Sequence, residues 1–78
     1  MTVELRDRIV ADPEILGGKP AIKGTRISVE LILGHLAAGW SLQNLLESYP
    51  HITQEDIRAC LAYAHDVVAE EVVVSSAA

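Results

Sequence analysis

The stretch SLQNLLESYPHITQEDIR, residues 41–58, contains the start and end signals of one short helix and the start of another. Ser41 can cap the first helix, and Pro50 ends it because proline lacks an N–H and restricts the residue before it. Thr53 can cap the second helix, and with Asp56 it approximates a capping box. A short helix, a tight turn and a longer capped helix are typical of a helix-turn-helix, although ordinary three-helix bundles share the pattern.

Apolar residues recur at helical spacing through this stretch and on both sides of it, which predicts three helices. The first helix follows the N-cap Ser28 and ends near Gly39, with the apolar stripe Val29, Ile32, Leu33 and Leu36. The second has the stripe Leu42, Leu45, Leu46 and Tyr49. The third extends to about Glu71, with a buried stripe of Ile57, Cys60, Leu61, Ala64 and Val68. Gly34, inside the first helix, costs about 1 kcal/mol relative to alanine, so we expect close helix packing there.

The first 28 residues are too broken for a helix. Three glycines and two prolines interrupt short apolar pieces, which is typical of strands and turns. We predict extended segments at Arg8–Ala11 and Ala21–Ile22 that form a small hairpin, with turn glycines at positive φ. The sequence thus predicts one domain, in which a β and turn element at 8–28 precedes helices at 29–71. Residues 72–78 form a tail that frays or pairs with something outside the chain.

The composition indicates a small cytoplasmic protein with an aliphatic core. Half of the 78 residues are apolar and there is no Phe. Because a chain this short is marginal as a monomer, we expect some apolar surface to meet a partner or a second copy. A single cysteine excludes an internal disulfide and suits a reducing compartment. The charged N-terminus does not resemble a signal peptide, and no apolar run is long enough to cross a bilayer.

Charge is distributed unevenly along the chain, whose net charge is −5. Residues 1–30 carry five basic and five acidic groups, whereas residues 31–78 carry one basic and six acidic groups. An acidic body disfavours non-specific binding to phosphate backbones and suits a basic protein partner.

The glycine-rich and cationic segment GGKPAIKGTRIS, residues 17–28, is not a phosphate-binding P-loop. A P-loop requires Gly-Lys-Ser/Thr at the start of a helix, whereas here Gly18 and Lys19 are followed by Pro20. Proline also lacks the N–H that a phosphate nest uses. We interpret the glycines as backbone turns.

No set of side chains predicts a catalytic or metal site. The three histidines have no metal-ligand spacing among themselves or with Cys60, so each is expected to have a surface or packing role. Cys60 lies on the apolar stripe of the third helix and is expected to be a core residue. Carboxylate pairs need a pocket that raises one pKa, and a domain this small has little room for one. We predict a protein that is not an enzyme and has no cofactor and no metal.

Some residues of the chain favour nucleic-acid binding and others oppose it. In the third helix, Gln54 could read adenine and Glu55 could accept from cytosine, and the candidates for groove contacts are Gln54, Glu55 and Arg58. The cations of the N-terminal third could add phosphate or partner contacts, and the candidates are Lys19, Lys23 and Arg26. Glu55 and Asp56 oppose this, because they would face the phosphates. A core helix with a solvated acidic face fits the same residues.

Residues 8–66 resemble the domain-of-unknown-function family 433. The pattern D-P-x-x-x-G-G-x-P-x-I-x-G-T-R-I-x-V, here Asp12 to Val29, is the hallmark of that family. The later segments GWS and YPHIT also fit, as does DIRACLAY, in which Cys60 precedes Leu61. The resemblance covers about residues 8–70, nearly the whole chain.

The resemblance implies a mainly α fold, in which a three-helix, homeodomain-like (helix-turn-helix) bundle follows a short N-terminal β-hairpin. It also implies a homodimeric antitoxin of a type II toxin–antitoxin pair, which neutralises a PIN-like ribonuclease toxin. Such a dimer would bind its own operator DNA through the helix-turn-helix. The residues leave open an alternative, a dimeric protein-interaction module that has this fold without binding DNA.

Overall fold

The structure is a computed structural model that describes residues 1–71, in which three short strands precede three helices. The elements are β1 (Val3–Arg6), β2 (Ile9–Ala11), β3 (Ala21–Ile22), α1 (Val29–Ala37), α2 (Leu42–Ser48) and α3 (Gln54–Glu71). The strands form one antiparallel sheet in the order β1-β2-β3. The domain is therefore a small α+β domain rather than mainly α, and the predicted tail at 72–78 lies outside the described residues.

The predicted hairpin is confirmed, and the structure adds a third strand to it. Ile9 pairs with Ile22, and Val10 pairs with Ala21, so β2 and β3 form the hairpin. Strand β1 pairs with the other edge of β2, with an irregularity in the register between Glu4 and Arg6. The sequence did not predict β1, because its side chains are largely exposed and its conformation depends on pairing with β2.

The helix starts agree with the capping signals. The Ser28 hydroxyl accepts from the backbone N–H of Leu31 at 2.9 Å. Ser41 forms a full capping box with Asn44. The third start is the predicted Thr53–Asp56 box, in which each side chain accepts from the other residue's backbone N–H, at 3.2 and 3.0 Å. These local bonds satisfy N–H groups that have no partner inside the helix.

The core is aliphatic, as predicted, and every element except β1 contributes to its centre. The fully buried side chains are Ile9, Ile22, Ile32, Leu45 and Cys60, one each from β2, β3, α1, α2 and α3. Around them pack half-buried apolar residues, which include Leu33 and Leu36 of the predicted α1 stripe. The sheet and the three helices thus share one core.

Two predictions about the helices are wrong. Leu61 and Val68 are 48% and 54% exposed rather than buried. A Cβ built on Gly34 meets nothing within 4 Å in the described chain, so no helix packs closely there. Leu61 directly follows the buried Cys60 and therefore lies on a neighbouring side of α3, and Val68 lies near the end of that helix.

Within residues 1–71, none of the helices combines the length and the apolar character that crossing a membrane requires.

Candidate nucleic-acid interface

The turn between β1 and β2 lies against the start of α3. Arg8, the last residue of this turn, has a φ of 73°, which directs the chain back into β2. Its Nη1 donates to Oδ1 of Asp56 at 3.0 Å. The Asp56 side chain is only 12% exposed, whereas that of Arg8 is 44% exposed. The guanidinium therefore reaches from solvent to a carboxylate at the edge of the core.

The two oxygens of the Asp56 carboxylate accept hydrogen bonds from two different residues. Oδ2 accepts from the backbone N–H of Thr53 and so caps α3, while Oδ1 accepts from Arg8. The turn between β1 and β2 is thereby attached to the first turn of α3. A second pair, Arg6 at the end of β1 and Asp66 farther along α3, lies at 3.0 Å, and its carboxylate is more exposed than that of Asp56.

These contacts frame an open depression of about 340 Å³ between the turn and α3. Its charged lining consists of Arg6, Asp7, Arg8, Glu55 and Arg58. Within residues 1–71, Arg58 forms no ion pair. Guanidinium groups can bind phosphate or carboxylate through paired N–H donors, so the depression suits an anionic group despite the acidic residues beside it.

Lys23 and Arg26 lie toward the same end of the sheet. The Lys23 N–H donates to the Arg8 carbonyl at 2.8 Å, which continues the β2–β3 ladder past its last pair. Lys23 therefore neighbours Arg8 directly. Arg26 is exposed in the loop that follows, where the N–H of Ile22 donates to the carbonyl of Ile27 at 2.9 Å.

Lys19 is separated from this group. It precedes β3 at the other end of that strand, and its Nζ donates to Oε1 of Glu30 at 2.9 Å. Of the other predicted contact residues, Glu55 and Arg58 line the depression, and Gln54 is exposed as the first residue of α3. The sequence reasoning missed Arg6 and Arg8, because nothing local to residues 6–8 indicates a carboxylate 48 positions away.

The cysteine of α3 has a core role, as predicted. Cys60 lies one turn after Asp56 and is fully buried. Burial, with a smaller contribution from the Asp56 carboxylate, raises the pKa of the Cys60 thiol to about 11. The thiol is therefore protonated near neutral pH, which suits the predicted core role and not a nucleophile.

The histidine of α1 has a packing role, as predicted. The His35 ring stacks on Trp40 with a centroid distance of 3.9 Å, and its Nε2 lies 2.9 Å from the Tyr49 hydroxyl. The group joins α1, the connection after it and the end of α2. Across the described residues 1–71, no cluster of three or more histidine, cysteine or carboxylate side chains is placed to hold a metal ion.

A family model described as a protein of unknown function (DUF433) matches residues 9–64. The chain belongs to the DUF433 family. The match begins in β2 and ends within α3, so it includes the hairpin, the start of α3 and the three helix caps.

A similar protein and a solved structure extend this comparison. An uncharacterized protein, y4eO, of Sinorhizobium fredii is 39% identical over 59 residues, which cover 76% of this chain and 27% of that protein. The chain thus spans about a quarter of that relative's length. The crystal structure of a DUF433 member from Anabaena variabilis superposes with a TM-score of 0.73 at 30% identity, over 95% of this chain and 72% of the other. The DUF433 fold is therefore shared.

Proposed function

We propose that this DUF433 protein is the antitoxin of a type II toxin–antitoxin pair. In this proposal it neutralises a PIN-like ribonuclease in the cytoplasm and, as a homodimer, binds its own operator DNA through a homeodomain-like helix-turn-helix formed by α2 and α3. The observation that supports DNA contact most directly is the position of Arg8. This cation lies far from α3 in sequence but stands beside its acidic N-terminal turn, and the N–H of Lys23 donates to the Arg8 carbonyl.

The proposed DNA contacts divide into two groups. Gln54 and Glu55, in the first turn of α3, would meet base edges in the major groove, because the start of the second helix performs this role in helix-turn-helix proteins. Arg58, Lys23 and Arg26 would contact phosphates and set the position of the helix. Lys19 stands at the opposite end of β3 and is assigned to partner contacts instead.

The toxin contact is proposed from charge. Residues 31–78 carry six acidic groups against one basic group, and nucleases that bind RNA present basic surfaces. An acidic helical body can cover such a surface and exclude the RNA. Association would then be steered by charge and would slow as salt rises.

A gel-shift titration with the protein's own promoter at two salt concentrations tests the DNA contact. Binding should weaken steeply with salt, and Arg58→Ala or Lys23→Ala should reduce the log–log salt slope by about 1 each. Lys19→Ala removes the same charge at the other end of β3 and serves as the matched control. No binding at low salt contradicts DNA recognition, and an equal loss with Lys19→Ala contradicts the assigned surface.

Co-expression with a PIN-like protein encoded beside it tests toxin neutralisation. We expect the two proteins to elute together in size-exclusion chromatography and growth to recover when both are expressed. If they never associate, the antitoxin proposal is wrong whatever the gel shift shows.

One observation favours the alternative, a dimeric protein-interaction module that does not bind DNA. In the depression, Arg6, Arg8 and Arg58 are accompanied by Asp7 and Glu55, and Asp56 already engages Arg8. A surface of mixed sign attracts phosphate backbones weakly and suits a protein partner. A functional complex without any DNA shift would support this module.

A further inference from the structure

Leu61 is a large apolar side chain on the outer surface of α3. It is 48% exposed, and among the described residues it does not belong to the apolar set that packs on the core. The preceding residue, Cys60, faces the core, whereas Arg58, one turn earlier, is exposed. A single exposed leucine is ordinary in a folded protein, so its position on the helix decides what it can do.

Leu61 lies in line with Gln54 along the surface of α3. Seven residues make almost two turns, so the two side chains project within about 20° of each other and about 10 Å apart along the helix axis. Both are exposed. Arg58 lies between them along the axis, displaced toward the turn between β1 and β2, where it lines the depression. The outer surface of α3 therefore begins with an amide and presents an apolar side chain two turns later.

This spacing suits a helix that lies in the major groove of DNA. The recognition helix of a homeodomain places its base contacts at positions i, i+3, i+4 and i+7, and Gln54 and Leu61 stand at i and i+7. In the major groove the base edges present hydrogen-bonding groups, and thymine adds a C5-methyl group. Because that methyl is the apolar group among these edges, it is the matching partner for a leucine.

We propose that Leu61 contacts the methyl group of a thymine in the operator and so adds a base preference to those of Gln54 and Glu55. A separation of about 10 Å corresponds to about three base-pair steps, so this thymine and the base that meets Gln54 belong to one half-site. The inference rests on the DNA contact of the proposed function and not on toxin neutralisation.

A protein partner fits Leu61 less well than a base edge does. Interfaces between proteins have a contiguous apolar centre. On α3, however, the exposed residues one turn before and one turn after Leu61 are Arg58 and His65, which are both polar. An apolar side chain between two polar ones matches a methyl group that is surrounded by hydrogen-bonding base edges.

Replacing thymine by uracil in the DNA tests this contact, because it removes the methyl group and keeps the base pairing and the charge. The promoter fragment of the gel shift is prepared with deoxyuridine in place of every thymidine, and its dissociation constant is compared with that of normal DNA at one low salt concentration. The wild-type protein should bind the uracil DNA about fourfold more weakly for each methyl group that Leu61 contacts. In Leu61→Ala, the ratio of the two dissociation constants should fall by this factor.

Val67→Ala is the control variant for Leu61→Ala. It shortens another exposed apolar side chain of α3, which projects about 120° away from Leu61 and lines a separate groove between α3 and α1. This variant should keep the wild-type ratio of dissociation constants. Circular dichroism should show the same helical content in all three proteins, because both side chains are substantially exposed.

Four outcomes overturn the inference. Equal affinity of the wild-type protein for thymine and uracil DNA refutes the methyl contact. A ratio that Leu61→Ala leaves unchanged assigns the contact to another residue, and loss of toxin association in the same variant then assigns Leu61 to the protein partner. Absence of binding to either DNA at low salt contradicts the proposed DNA contact itself, whereas the other outcomes leave that contact standing.

Discussion

Replacing the buried Asp56 should destabilise the domain more than replacing any other charged residue named here, because its carboxylate binds two partners. Asp56→Ala removes the hydrogen bond to the Thr53 N–H, and loss of such a cap costs about 1 kcal/mol. It also removes the ion pair with Arg8, which we place at about 0.5–1 kcal/mol because the guanidinium is partly solvated. The expected loss is about 2 kcal/mol, or about 8–16 °C in Tm for a domain of this size.

Two further variants separate these contributions. Arg8→Ala removes only the ion pair, and because alanine also carries a Cβ at the positive φ of this position, the backbone strain stays comparable. It should therefore cost about 0.5–1 kcal/mol. The double variant should cost less than the sum of the two single variants by the energy of the pair.

Urea unfolding followed by far-ultraviolet circular dichroism measures each free energy, at one fixed protein concentration because self-association would stabilise the fold. Arg6→Ala is the control, since its partner Asp66 is 59% exposed, against 12% for Asp56, and the pair should contribute less. A loss of stability in Asp56→Ala no larger than in Arg6→Ala, or the absence of coupling energy between Arg8 and Asp56, would contradict the two roles of this carboxylate.

The remaining predictions concern the core. The pKa of the Cys60 thiol is about 11 in the folded state, above its ordinary value of 9.0, so the unfolded chain loses this proton at a lower pH than the folded protein. The free energy of unfolding should therefore fall as pH rises from about 9 to 11, by up to about 3 kcal/mol. The slope of unfolding free energy against pH should be shallower in Cys60→Ala, and an unchanged slope would contradict the assignment. Tyr49→Phe removes the hydroxyl partner of His35 and should cost about 1 kcal/mol in chemical unfolding; a neutral result would show that the bond contributes nothing. Leu45→Ala should cost about 2–5 kcal/mol, since Leu45 is completely buried, and a loss below 1 kcal/mol would contradict its central position.

Local sequence signals predicted the helix starts because their hydrogen-bond partners lie within four residues: the three N-caps and the capping box at Thr53 and Asp56 are confirmed. The paired segments of β2 and β3 are also confirmed, although Ile9 and its partner Ile22 are 13 positions apart. The helix-turn-helix interpretation stays a proposal, because two helices and a turn are compatible with other functions. Strand β1 was not predicted, because its conformation depends on pairing with β2 and not on an apolar pattern in its own sequence.

The candidate interface was only partly predictable. Glu55 and Arg58 follow from their places in α3, but their grouping with Arg8 and Lys23 depends on how the hairpin docks. The position of Lys19 was not predictable either. Lys19 and Lys23 are four positions apart in the sequence, but they lie at opposite ends of strand β3.

The sequence alone determined where each helix begins, which side of α1 is apolar and that the core is aliphatic, because hydrogen bonding at helix starts and side-chain periodicity act over a few residues. Only the tertiary structure decided that Arg8 reaches Asp56 across 48 positions, that Lys19 stands apart, and that Val68 and Gly34 are exposed. These depend on how the sheet docks against α3 and on which residues each face of the helices meets. Whether a residue is buried depends on the residues that pack against it. The periodicity of the sequence does not show which residues those are or how far along the helix they extend.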